Sequence, residues 1–307
     1  MNSELQKQLN AVINSVPGWT PDSVEAKILD GGVTNSNWMV AHEGKQHFLK
    51  LYGAGTESFI NRGVSIDAAR QAHHMGIGPN VLHFDPENGT EVVEFLTGYR
   101  ASTNADFARK DFLGGVIDLY AAFHSGDALG ETKDVFAMTE EHIDQAKELG
   151  AKFPTDFDWL MKQYNKAKSA FFASGLDLVP CHNDPMPGNF MVRMKGDQLD
   201  DMKLIDYEYA SNNERAYEIG VFLAEVFTDE QTSLEMIERY YGEVRPEIVA
   251  RVTVARAVAD MKWGSWAVQQ RQLSDWDFDY QKYGIWKYGR ARILFDDPRW
   301  DEWLRTI

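Results

Sequence analysis

The sequence predicts an α+β chain of two lobes: an antiparallel sheet with one inserted helix, then a mainly helical lobe. Two patterns predict it. Up to Phe95, short segments rich in β-branched and aromatic residues alternate with Gly-bearing turns. From Ala105 onward, apolar residues recur at helix spacing, with a single non-helical island at 178–210. The boundary falls near residues 97–100, so 1–98 form the first lobe and 99–307 the second. A chain of 307 residues with 44% apolar and 25% charged side chains can bury a large core and is not a disordered polymer.

In order, strands are expected at 24–29, 37–41 and 46–51, parted by Gly31-Gly32 and by Glu43-Gly44. A helix at 57–75 follows, stopped by Gly76, Gly78 and Pro79. Strands at 81–84 and 90–95 flank a turn at 86–89. Helices are expected at 106–124, 140–149, 156–173, 214–227, 230–241 and 246–272, with 126–138 the least structured stretch. Inside the island, 190–193 and 202–205 read as a hairpin turning at 195–198, and Cys181 as the end of a strand.

The formal charge of −16 disfavours nucleic acid and anionic membranes and favours a small cation. One cysteine, Cys181, allows no internal disulfide and suits a cytoplasmic protein; it reads as a buried structural thiol. No signal peptide is expected from MNSELQKQLN, and no apolar run suits a membrane span. His73, His74, His83 and His124 have no acids at metal spacing and read as surface or packed helix residues.

The island carries the sharpest chemical pattern. Asp184 and Asn189 stand five apart on a Pro- and Gly-bearing loop that opens Cys181-His182-Asn183, and Asp206 ends the apolar strand Leu204-Ile205. Singly, Asp and Asn on such loops are turn formers. Together they match what phosphoryl transfer needs: a carboxylate to take a hydroxyl proton, and an amide oxygen plus a second carboxylate to hold Mg²⁺ against nucleotide phosphates.

This Asp-x-x-x-x-Asn loop, hairpin and apolar-Asp exit resemble the catalytic and metal-binding segments of the protein-kinase-like fold. With His182-Asn183 in front, they resemble its aminoglycoside phosphotransferase and choline kinase branch. The resemblance implies a two-lobe kinase-like fold whose first lobe binds ATP and whose second carries catalysis and the acceptor. It also implies that Asp184 is the catalytic base and orienter, and that Asn189 and Asp206 are Mg²⁺ ligands. Glu208 would join the metal shell or hold the substrate. Gly31, Gly32, Thr34 and Asn35 would cover the phosphates, Lys50 would contact them, and Glu94 and Leu96 would bracket the hinge that holds adenine. Two positions depart from the family pattern. Ser65 stands where related kinases place a helix glutamate to pair with the strand lysine, Asp67 being the nearest acid. Glu218 stands where an aspartate usually braces the catalytic loop.

Six of the nine tryptophans lie in the last 45 residues. Trp263-Gly264-Ser265-Trp266 followed by Phe278-Asp279-Tyr280-Gln281-Lys282-Tyr283 resembles the end of choline and ethanolamine kinases, which implies that Trp263, Trp266 and Tyr283 wall an amino-alcohol pocket. A quaternary ammonium donates no hydrogen bond, so aromatic faces and carboxylates must recognise it. Asp275, Asp277 and Asp279 put negative charge near that wall. Core packing is the other reading of such a stripe. The expected activity is transfer of the ATP γ-phosphoryl group to a small amino alcohol, choline first. Ethanolamine, thiamine or an aminoglycoside as acceptor, or a catalytically silent kinase-like binding protein, are the alternatives.

Overall fold

Strand alternation decides what the first sheet buries. In the computed structural model, which describes residues 3–29, 35–52, 61–87, 89–274 and 277–307, five strands form one antiparallel sheet. They are β1 (Val24–Leu29), β2 (Asn35–His42), β3 (Lys45–Tyr52), β4 (Val81–Asp85) and β5 (Thr90–Glu94), in the order β1-β2-β3-β5-β4. Trp38 pairs with Leu49, and Leu49 with Val92, so these residues share one face. Helix α1 (Ser3–Ser15) lays Leu9 and Ile13 on that face, and Val16 and Trp19 extend the seal. The sequence reading missed α1, because its apolar stripe is short and set among polar residues. Lys50, one residue past Leu49, falls on the opposite face.

Helix α2 (Arg62–His74) is capped by Asn61, whose side chain accepts the Val64 N–H at 3.3 Å. It ends ahead of Gly76, whose φ of 75° only glycine adopts freely. The first residues of the expected helix, 57–60, lie outside the described residues. The expected hairpin is β8 (Phe190–Lys195) with β9 (Gln198–Leu204), joined by the short β6 (Arg100–Ala101) into a second sheet. Residues 1–101 and 189–209 together form one compact unit, and 102–188 with 210–307 form another.

The second unit is helical: α3 (Lys110–His124), α4 (Val135–Glu148), α5 (Phe157–Ser174), α6 (Arg215–Glu225), α7 (Glu230–Tyr241), α8 (Pro246–Leu273), α9 (Tyr280–Phe295) and α10 (Trp300–Thr306). Helix α8 packs against α4, α5, α6, α7, α9 and α10. Its buried positions run round much of the helix, as a central helix requires.

Three expectations are corrected here. The 126–138 stretch is not all loop, since α4 begins at Val135 rather than 140; Asp134 caps it, accepting the Phe136 and Ala137 N–H groups at 2.9 Å each. The helix expected from 106 is interrupted at Arg109, whose backbone is extended, so α3 starts at Lys110. A strand β10 (Ser211–Glu214) pairs antiparallel with β7 (Leu178–Cys181), where no strand was expected. Its Ser-Asn-Asn-Glu sequence has no apolar signal, yet all four residues are buried. Helices α9 and α10 likewise went unread in the tail. Among the described residues no helix is long and apolar enough to cross a membrane.

Close approach of α6 to α8 depends on Gly220. A Cβ there would stand 2.9 Å from the Val252 carbonyl and 3.1 Å from the Arg256 nitrogen. Alanine favours a helix interior by ~1 kcal/mol, but overpacking against backbone costs about 1–3 kcal/mol. Gly220→Ala should therefore lower the urea midpoint; a raised midpoint would mean that the two helices separate without cost.

Candidate active site

In the first unit, β3 carries Lys50 to a site built on the hairpin. The lysine side chain is 8% exposed, its Nζ lies 2.6 Å from Asp206 Oδ1, and it also pairs with Glu208. A buried ammonium needs such carboxylates to offset lost hydration. Asp206 follows β9 with φ of 69°, a conformation that costs a non-glycine residue energy and turns its side chain out of strand register. Asn189 ends the short helical turn before β8, and its carbonyl accepts the Ile205 N–H at 3.0 Å. The hairpin base thus holds Asn189 beside the Ile205-Asp206 exit. The available donors are all oxygens, one amide and two carboxylates, which fits a hard divalent cation such as Mg²⁺. Asp67 is not the lysine's partner: it is 70% exposed and reaches Arg70 at 3.4 Å.

In the second unit, Asp184 sits on the loop after β7, its Oδ1 accepting the Met186 N–H at 3.2 Å. Glu218 of α6 braces that loop. Its Oε2 accepts the His182 backbone N–H at 2.9 Å and its Oε1 the Asn183 N–H at 2.5 Å. Asn183 adopts φ of 68°. Its side chain is held on both sides, donating to Ser211 Oγ at 2.9 Å and accepting from Asn213 at 2.8 Å, so buried polar β10 serves as a rack for the loop. The longer acid noted in the sequence performs the bracing.

His124 of α3 also belongs here, a role its sequence context did not signal. Its Nε2 lies 2.8 Å from Glu218 Oε2, and its Nδ1 2.5 Å from the Tyr240 hydroxyl. Burial would raise the Glu218 pKa, but the His124 hydrogen bond and the Asn183 N–H hold it below the usual value. His124, Cys181 and Glu218 bring possible ligand atoms within 4.8 Å of one another. Both Glu218 oxygens already accept backbone N–H groups, and burial pushes the Cys181 thiol well up, which disfavours a metal thiolate.

The tail residues meet as well. Trp263 and Trp266 stand edge-to-face at 5.5 Å, and Trp266 and Tyr283 at 5.8 Å. Phe278 and Tyr280, which the sequence reading did not select, complete the cluster, at 5.8 Å from Tyr283 and 5.7 Å from Trp266. Gly264 between the tryptophans lets α9 close in, since a Cβ there would meet the Tyr288 ring at 3.0 Å. Burial pushes the Tyr283 hydroxyl well up, with Glu225, Asp184 and Asp260 adding to the shift. The acids whose charge reaches Tyr283 lie on α6, α8 and the Asp184 loop, and Arg290 of α9 opposes them. Asp277 and Asp279 are exposed, and Asp279 caps α9 by accepting the Lys282 N–H at 2.9 Å.

Gly31, Gly32, Thr34 and Asp275 lie outside the described residues, and Asn35 opens β2. Glu94 ends β5, its N–H donating to the Asn80 carbonyl at 2.8 Å, while the Leu96 carbonyl accepts the Tyr99 N–H at 3.2 Å.

The family profile described as choline/ethanolamine kinase matches residues 26–244. A probable ethanolamine kinase of Arabidopsis thaliana is 24% identical over 275 residues, spanning 80% of this chain and 71% of its own. Among solved structures, a choline/ethanolamine kinase family protein from Mesorhizobium loti superposes with a TM-score of 0.82 at 25% identity, covering 98% of each chain. The choline kinase LicA from Streptococcus pneumoniae gives 0.75 at 21% identity, covering 99% of this chain and 100% of its own. LicA has also been solved in complex with AMP.

Because its pKa is depressed, Glu218 contributes stability that is complete above its ordinary value of 4.5 and is lost as pH falls through the lower folded value. Glu218→Gln should cost ~1–3 kcal/mol near neutrality. The gap from the wild type should shrink in acid, as urea unfolding at a series of pH values would report.

Proposed function

The chain belongs to the choline/ethanolamine kinase family, and within it we propose that this protein transfers the γ-phosphoryl group of ATP to the hydroxyl of a small cationic amino alcohol, choline first. One observation carries the choice of acceptor. Around the edge-to-face cluster of Trp263, Trp266 and Tyr283, the charges of Glu225, Asp184 and Asp260 reach Tyr283, with Arg290 opposing them. A quaternary ammonium would draw there on π faces and nearby negative charge, in competition with the Lys262 and Lys287 amines that stand over the Trp263 and Tyr283 rings.

The proposed division of labour follows the two units. Lys50 contacts the nucleotide phosphates, and Gly31, Gly32, Thr34 and Asn35 cover them, with Glu94 and Leu96 at the adenine. Asn189 and Asp206 hold Mg²⁺, and Glu208 keeps Lys50 and the metal shell in balance. Mg²⁺, when bound, neutralises charge on the phosphates during transfer. Asp184 orients the acceptor hydroxyl and takes its proton, and the brace from Glu218 keeps that carboxylate aimed. The acidic surface, −16 in formal charge, argues against nucleic-acid partners. The single buried thiol and ATP chemistry suit the cytoplasm.

Measuring ADP formation with Mg²⁺-ATP and choline, ethanolamine, thiamine or kanamycin tests the reading. ADP formation dependent on choline or ethanolamine supports it; turnover with thiamine or kanamycin alone moves the acceptor class, and none at all leaves a binding protein. Asp184→Asn should lower kcat by about 10²–10⁴-fold while ATP still binds. Loss of ATP binding as well would make Asp184 a structural residue.

Trp266→Ala should weaken choline by ~1–2 kcal/mol, about tenfold, with the KM for ATP unchanged. If the cluster is only core, truncation costs ~3–5 kcal/mol of stability and both substrates suffer together. Melting temperature and the two KM values on one variant separate these outcomes.

A further inference from the structure

The acceptor reading sets a cation against Trp263, and that ring already carries an amine. Lys262, the preceding residue of α8, is completely buried. Its Nζ stands 3.2 Å from the centre of the Trp263 ring. One π system attracts one ammonium well. A second brought to the same ring meets Coulomb repulsion that no water screens, whichever face it takes.

The surroundings do not welcome two charges. Asp184 from the loop after β7 favours a charged Lys262, whereas Lys287 of α9 and Lys133 ahead of α4 oppose it. His142 of α4 also faces this lysine; burial first, and Lys262 next, push its pKa down to about 3, so it brings no charge near neutrality. Lys287 and Lys133 pair with Glu225 and Glu141. Burial drives the Lys262 amine well below the usual lysine range, which favours its uncharged form.

Resting on the amino-alcohol reading, we infer that Lys262 is a specificity residue of the acceptor site: Trp263 serves one ammonium at a time, and the acceptor cation binds only where the Lys262 amine has given up its proton. Cation binding to the charged form then releases one proton to solvent. By reciprocity, acceptor affinity falls as pH drops below the range in which the amine titrates and is flat above it. A neutral alcohol of the same shape is indifferent to that proton.

Calorimetric titration of the full-length protein with choline and with its neutral isostere 3,3-dimethylbutanol, from about pH 5.5 to about pH 9, tests this. Paired buffers of different ionisation enthalpy count the protons. Choline should lose about tenfold in affinity per pH unit through the lysine's range, with close to one proton released there. Dimethylbutanol should show neither effect. Lys262→Met should bind choline without that proton release; the acids around the site titrate in both proteins, so the difference isolates the lysine. Lys262→Arg keeps its charge at every pH and should bind choline at least about tenfold more weakly throughout, with dimethylbutanol unchanged. Choline binding that releases no proton in the wild type at any pH overturns the inference. So does Lys262→Arg binding as tightly as wild type. If Lys262→Met does not fold, the wild-type proton count and the arginine variant still decide. Absence of choline- or ethanolamine-dependent ADP formation at every pH overturns the amino-alcohol reading itself, independently of the proton count.

Discussion

A carboxylate buried away from water must be met by donors fixed in place, and Glu218 makes that demand on the second unit. Its desolvation alone costs several kcal/mol. Two backbone N–H groups of the Asp184 loop and the imidazole of His124 answer it. The loop can offer both N–H groups because Asn183 accepts a left-handed backbone, and that backbone is held because Asn213 and Ser211 grip its side chain. Asn213 also accepts the first N–H of α4, from Val135, at 2.8 Å. One charge on α6 therefore ties α3, α4, β10 and the loop that carries Asp184 into a single hydrogen-bonded arrangement.

The first unit obeys the same rule with the sign reversed. Here the buried charge is the ammonium of Lys50, and the carboxylates of Asp206 and Glu208 answer it. Strand alternation drives Leu49 into the core under α1 and so puts Lys50 on the other face. Pairing at the base of the β8–β9 hairpin keeps Asn189 and Asp206 together. Among the described residues, acids that lie after the hairpin hold this lysine.

What could be read in advance was whatever depends on neighbours along the chain. Asp184 and Asn189 share one loop, Asp206 ends one strand, and Trp263 and Trp266 share one helical face; spacing alone relates them. The Asp134 cap is equally local, but an apolar period counted from residue 140 starts five residues after the helix begins. Strand β10 lay beyond any apolar pattern, since its buried residues are Ser, Asn, Asn and Glu. Nothing around His124 in the sequence points ninety-four residues ahead to Glu218.

By itself, then, the sequence determined the two-lobe α+β character and displayed the Asp184, Asn189 and Asp206 spacing and the aromatic tail, because periodicity and short spacings survive as one-dimensional patterns. Only the tertiary structure decided who answers each buried charge. It chose Asp206 and Glu208 for Lys50 over Asp67, and His124 and two loop amides for Glu218. Those choices rest on which groups folding brings within a few ångström in the absence of water, where electrostatic interactions are strong and sequence separation counts for nothing.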